Sequence, residues 1–182
     1  MNTIRLLSLL GAVTGVNGIK CSALPANNLP CFEVPRCSTG QTADIFINQL
    51  SNGYGASQSQ SDVSLCFDDV RLYVNHTANG QIYLNNPGYK TCNDPVFNAD
   101  VAEMFIAPNM ESTPHCYNEL DISPFGVMFD AGIYNPNLNH TGIEGYEFEC
   151  SGTGVEYSSS INMVDNMWSA TLSFTFALLN CP

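Results

Sequence analysis

Asp100-Val101-Ala102-Glu103-Met104-Phe105-Ile106-Ala107-Pro108 and, a little further on, Cys116-Tyr117-Asn118-Glu119-Leu120-Asp121-Ile122-Ser123-Pro124-Phe125-Gly126-Val127-Met128-Phe129-Asp130 together decide how this chain folds. Three apolar strand candidates follow one another here, with carboxylates set among them. Pro108 and Pro124-Phe125-Gly126 supply the breaks. A chain that turns this often over short apolar runs builds sheets.

The same pattern extends outward in both directions. Trp168, Ala170, Leu172, Phe174, Phe176 and Leu178 alternate with Ser169, Thr171, Ser173, Thr175 and Ala177. That period of two describes a strand with one apolar face, as in a half-buried antiparallel sheet. The all-apolar face assigns Trp168 to the core. Val127, Phe129, Ala131 and Ile133 repeat the pattern, and Val63–Phe67 and Val70–Val74 give two more strands around Asp68-Asp69. Asn79-Gly80 signals a hairpin leading into Gln81–Leu84, and Asn86-Pro87-Gly88 a turn after it. Tyr146–Cys150 and Val155–Ile161 flank a Ser-Gly-Thr-Gly turn. Ser57 to Ser61 is a short polar stretch, and Asp44–Leu50 is the one segment with helical character. About eight to ten short strands imply an all-β, antiparallel β-sandwich or jelly-roll-like single domain.

The first residues read as an address label. Arg5 precedes the apolar run Leu6–Val13, and Val16-Asn17-Gly18 offers a cleavage site. Residues 1–18 are thus expected to be a signal peptide, and the run is shorter than the ~20 residues a membrane span needs. Residues 19–62 form an irregular Cys/Pro-rich lead-in with the first strands, and 63–182 the sandwich, one domain with the lead-in. Eight cysteines (Cys21, Cys31, Cys37, Cys66, Cys92, Cys116, Cys150 and Cys181) follow the leader. Behind a secretory signal they imply disulfide staples, and the absence of any C-x-x-C pair gives zinc no support. Five Lys/Arg against 17 Asp/Glu set a net charge of −12. Nucleic acid and anionic membranes would repel such a chain, whereas neutral polysaccharide, cations and basic proteins would not. Asn75-His76-Thr77 and Asn139-His140-Thr141 are glycosylation sequons, which places Asn75, Asn139 and their histidines at the surface of a secreted glycoprotein.

The central stretch resembles the D-x-x-E-x-F-I-x-P … Y-x-E-x-x-I-x-P-x-G-x-x-x-D run of family 9-like carbohydrate-binding modules. Phe67-Asp68-Asp69-Val70-Arg71-Leu72-Tyr73-Val74 is similar to the family's W-D-D-x-x-L-Y-V strand pair. Met167-Trp168-Ser169-Ala170-Thr171-Leu172 is similar to its penultimate strand. The resemblance runs from about Val63 to about Leu178. It implies a non-catalytic module that binds polysaccharide by stacking sugar on an aromatic wall and hydrogen-bonding its hydroxyls. On that reading Phe97 stands where the family often has a clamp Trp, and Glu103 where a glutamate bonds hydroxyls. Asp100 opens the motif, and Glu119 occupies a position where the family often has an arginine. Phe97 also has an ordinary reading as a core or loop aromatic.

The departures from the family are specific. Its second clamp Trp lies in a C-terminal segment, and this chain stops at Asn180-Cys181-Pro182. Tyr54, Tyr89 or Tyr134 could substitute as a wall. The rival reading is a structural or interaction protein of the matrix or cell surface, able to self-associate, that keeps the sandwich without the sugar site. The resemblance implies no obligate cofactor. Calcium is admitted by Glu119 and Asp121 on one strand face, Asp130 across the Pro-Phe-Gly turn, and Asp68-Asp69 at another turn. Catalysis has the least behind it: Glu103 and Glu119 on adjacent strands could approach the ~5–10 Å of a glycosidase pair, but no G-x-S-x-G elbow supports a serine triad.

Overall fold

The structure, a computed structural model, describes residues 33–49, 56–80, 83–107, 115–137, 144–147 and 154–178. The expected leader at 1–18, Cys21, Cys31, Cys150, Cys181, Asn139, His140 and Tyr54 lie outside the described residues.

Among the described residues nine strands make two antiparallel sheets. β1 (Ala43–Gln49), β2 (Ala56–Phe67), β3 (Arg71–Asn79), β9 (Met167–Thr175) and β8 (Val155–Asn162) lie in that order in a five-stranded sheet. β4 (Ala102–Ile106), β5 (Cys116–Ile122), β6 (Met128–Tyr134) and β7 (Glu144–Glu147) form a four-stranded meander. Every pairing within the sheets is antiparallel. The fold class is therefore the expected β-sandwich, with only short 3-10 turns besides strands among the described residues.

The main core fills the space between the sheets. Leu65, Val74, Trp168 and Phe174 come from the five-stranded side, and Met104, Leu120, Ile122 and Met128 from the four-stranded side. Trp168 is 2 % exposed, as its all-apolar strand face requires. A second apolar cluster lies on the outer face of the four-stranded sheet. Phe129 and Ala131 of β6 are covered there by Val96 and Val101 of the incoming segment. That segment is held to β6 by Asn93, which takes a left-handed φ of 64°. Its N–H donates to the Met128 carbonyl at 2.9 Å and its Oδ1 accepts the Asp130 N–H at 3.0 Å. Asn93 thus extends the sheet beside the first residues of β6, which β7 does not reach.

Cys37 and Cys66 are bridged, tying the lead-in to the end of β2, and Cys92 and Cys116 each take part in a disulfide as well. Arg36 reinforces the first bridge: it pairs with Asp69 at 2.6 Å and lies over the Phe67 ring.

Three local expectations are corrected. Asp44–Gln49, the described part of the expected helix, is not helical, because Ile45 and Ile47 sit two apart and pair with Val63 and Ser61 as strand β1. Both pack on the main core, and that burial overrides a weak local helix signal. The polar stretch Ser57–Ser61 belongs to β2, where backbone pairing with β1 and β3 carries a segment poor in apolar side chains. Tyr83 and Leu84 are not in a strand; β3 runs on to Asn79, and the described residues after it form a loop. His76 is buried at 4 % exposure, although its neighbour Asn75 is exposed. A strand sends successive side chains to opposite faces, so an exposed sequon asparagine places its histidine inside.

Candidate functional site

The register of the meander brings the acidic residues together. Glu103 of β4 lies opposite Asp121 of β5, which lies opposite Phe129 of β6. In the next row out, Phe105 faces Glu119, and Glu119 faces Ala131. Because side chains alternate, these residues share the outer face with the second cluster, while Met104, Leu120 and Met128 point into the sandwich. One carboxylate oxygen from each of Glu103, Glu119 and Asp121 lies within 4.8 Å of the others.

These three groups are not ordinary surface acids. Glu103 is 8 % exposed and Asp121 0 %, while Glu119 is half-buried. Neither carboxylate oxygen of Asp121 receives an N–H or hydroxyl donor among the described residues. Burial drives the Asp121 carboxyl far above the usual carboxylate range, and the charges of Glu119 and Glu103 push it further. Burial also raises Glu119, partly offset by the close approach of the Asp121 carboxyl. The described arginines that form ion pairs do so elsewhere, Arg36 with Asp69 and Arg71 with Glu156.

Aromatic rings border the cluster. Phe97, in the 3-10 turn Val96–Asn98, is half-buried and meets Phe129 edge-on at 5.1 Å between centroids. Phe105 and Tyr117 make a second edge-on pair at 5.8 Å. Tyr89 packs against the same outer cluster, whereas Tyr134 pairs with Cys116 in the register of the inward-facing residues. Phe97, Glu103 and Glu119 thus come to one face of one sheet.

The remaining candidates have other places. The Asp100 carboxylate accepts the Asn85 N–H at 2.6 Å, pinning the loop that carries Phe97. Asp130 does not join Glu119 and Asp121: it pairs with Leu120 and takes the opposite face of the sheet, fully buried. Asp68 accepts the N–H groups of Val70 and Arg71 and the Tyr73 hydroxyl, which holds its pKa down and closes the β2–β3 turn. Sequence reasoning saw Glu119 and Asp121 as a pair but did not connect Asp121 to Glu103. It also passed over Phe105 and Tyr117, which two-residue spacing from Glu103 and Glu119 could have flagged.

No family model matches the chain. An extracellular protein of Arthroderma benhamiae is 25% identical over 127 residues, which cover 66% of this chain and 56% of the relative. The chain thus spans about half the length of that curated relative. Among solved structures, a Bacteroides uniformis protein assigned to carbohydrate binding superposes with a TM-score of 0.55 at 10% identity. The match covers 79% of this chain and 64% of that one. A family 9 carbohydrate-binding module of Caldicellulosiruptor kristjanssonii, solved with glucose, matches at a TM-score of 0.39 and 13% identity, a level that carries no argument. It covers 100% of this chain and 71% of its own. The likeness is one of fold: the chain has the two-sheet sandwich of the Bacteroides uniformis protein, the architecture that the family 9-like resemblance implied.

Proposed function

We propose that this chain is a secreted, non-catalytic carbohydrate-binding protein whose ligand, a cell-wall or matrix polysaccharide, lies on the outer face of the four-stranded sheet. The observation that carries the reading is the meeting of a half-buried aromatic, Phe97, with Glu103 and Glu119 on one rigid sheet face. A sugar offers apolar C–H faces to a ring and hydroxyls to carboxylates, and this face presents both. Asp121 deepens the acidic end, and Phe105 and Tyr117 continue the aromatic surface away from it. The extracellular relative agrees with secretion. No helix among the described residues is long and apolar enough to cross a membrane.

The test is binding of the secreted, oxidised protein to a panel of polysaccharides, for the wild type and for Phe97→Ala and Glu103→Gln. Saturable binding that both variants lose supports the reading. No binding across the panel refutes it and leaves the interaction-protein role.

A further inference from the structure

We propose that Glu103, Glu119 and Asp121 together hold one hard divalent cation of the calcium class on the outer face of the four-stranded sheet. The inference goes beyond the sugar reading and is tested without sugar.

Three observations converge. The first is the donor set: three carboxylates are hard oxygen ligands, and together they offer three to six oxygens depending on how many bind bidentate. The second is the span. Calcium–oxygen bonds of about 2.3–2.6 Å place oxygens on opposite sides of an ion roughly 4.6–5.2 Å apart. One oxygen from each of the three carboxylates lies within 4.8 Å of the others, close enough for a single ion with calcium–oxygen bonds to reach all three.

The third observation is independent of clustering. Asp121 is fully buried, with both oxygens lacking a donor among the described residues, and one of them faces the other two carboxylates. Buried carboxylates are satisfied by hydrogen bonds, by an opposite charge or by a metal. Here the neighbours that the register supplies are two more acids. The scaffold is also rigid: Glu103 and Asp121 are direct cross-strand partners, and Glu119 lies two residues along the same strand. The half-buried Glu119 leaves a route to solvent, and calcium's usual six to eight oxygens leave positions for water.

The experiment uses the oxidised full chain stripped with EDTA, titrated with calcium alone and then with magnesium alone. Calorimetry should show one calcium per chain, with a Kd of about 10⁻⁴–10⁻³ M as in extracellular modules. Calcium at about 100 times that Kd should raise Tm by roughly 5–10 °C. Magnesium should bind more weakly. Asp121→Asn should weaken calcium binding at least tenfold. Glu119→Gln, at a half-buried position, should do the same, so the result does not depend on the fully buried Asp121 alone. Absence of calcium uptake by the wild type at tens of millimolar, or affinity unchanged in both variants, overturns the proposal.

Discussion

Acidification should destabilise this protein through one buried histidine. His76 lies on the inner face of β3, tilted against Trp168 at 5.0 Å between ring centroids, with Nε2 3.1 Å from the Ser61 hydroxyl. Its Nδ1 has no partner among the described residues. Desolvation lowers the His76 pKa from 6.5 to about 4. The folded state therefore resists a proton that the unfolded chain accepts, and stability rises with pH between the two values. The contribution is complete above about pH 6.5 and is lost as pH falls toward 4. Linkage gives a loss of about 2 kcal/mol at pH 5 and about 3 kcal/mol at pH 4, relative to pH 7.5. Urea unfolding at these three pH values, for the wild type and His76→Gln, isolates the effect because the carboxylates titrate in both. The wild type should lose about 3 kcal/mol more than the variant between pH 7.5 and 4. Equal losses in the two proteins would refute the argument.

Trp168→Ala empties the largest fully buried side chain of the core and should cost about 3–5 kcal/mol in chemical unfolding. A loss under about 1 kcal/mol would mean that the sheets close over the gap. Replacing Cys37 and Cys66 together by Ser opens a loop with a sequence separation of 29 and should cost about 3–4 kcal/mol, read as a lower urea midpoint. Asn75 is exposed near the middle of β3, on the face of the five-stranded sheet turned away from the core. Expressed in a glycosylating host, the protein should lose one glycan mass on Asn75→Gln without losing sugar binding.

The sandwich could be read from the sequence wherever one face of a strand is apolar. Trp168 to Phe174 announces β9 because Trp168, Ala170, Leu172 and Phe174 are buried, although the alternation that continues to Leu178 ends in a 3-10 turn over Phe176–Leu178 rather than in the strand. The Pro and Gly breaks around Glu119 to Asp130 set off β5 and β6. The polar start of β2 gave no such sign: its pairing is satisfied by backbone groups from both neighbours, which no side-chain pattern records. β1 was lost for a related reason, since seven residues with apolar positions close together fit a helix turn as well as an edge strand. The site was legible as a set of residues but not as a constellation. Phe97, Glu103 and Glu119 carry the motif, yet their meeting depends on the register of β4 against β5. That register puts Asp121 beside Glu103, a pairing that no spacing along the sequence records. His76 shows the reverse case, where a surface motif hid a core position.

The central claim is that a sugar binds on the outer face of the four-stranded sheet, beside the carboxylate cluster. Amide and methyl chemical-shift mapping during titration with the best oligosaccharide from the panel tests it most directly. The account predicts saturable shifts at Phe97, Glu103, Phe105, Tyr117, Glu119 and Asp121, and none at Asn75, Thr171 or Ser158 across the sandwich. Shifts confined to the five-stranded sheet, or none at saturating sugar, would contradict it.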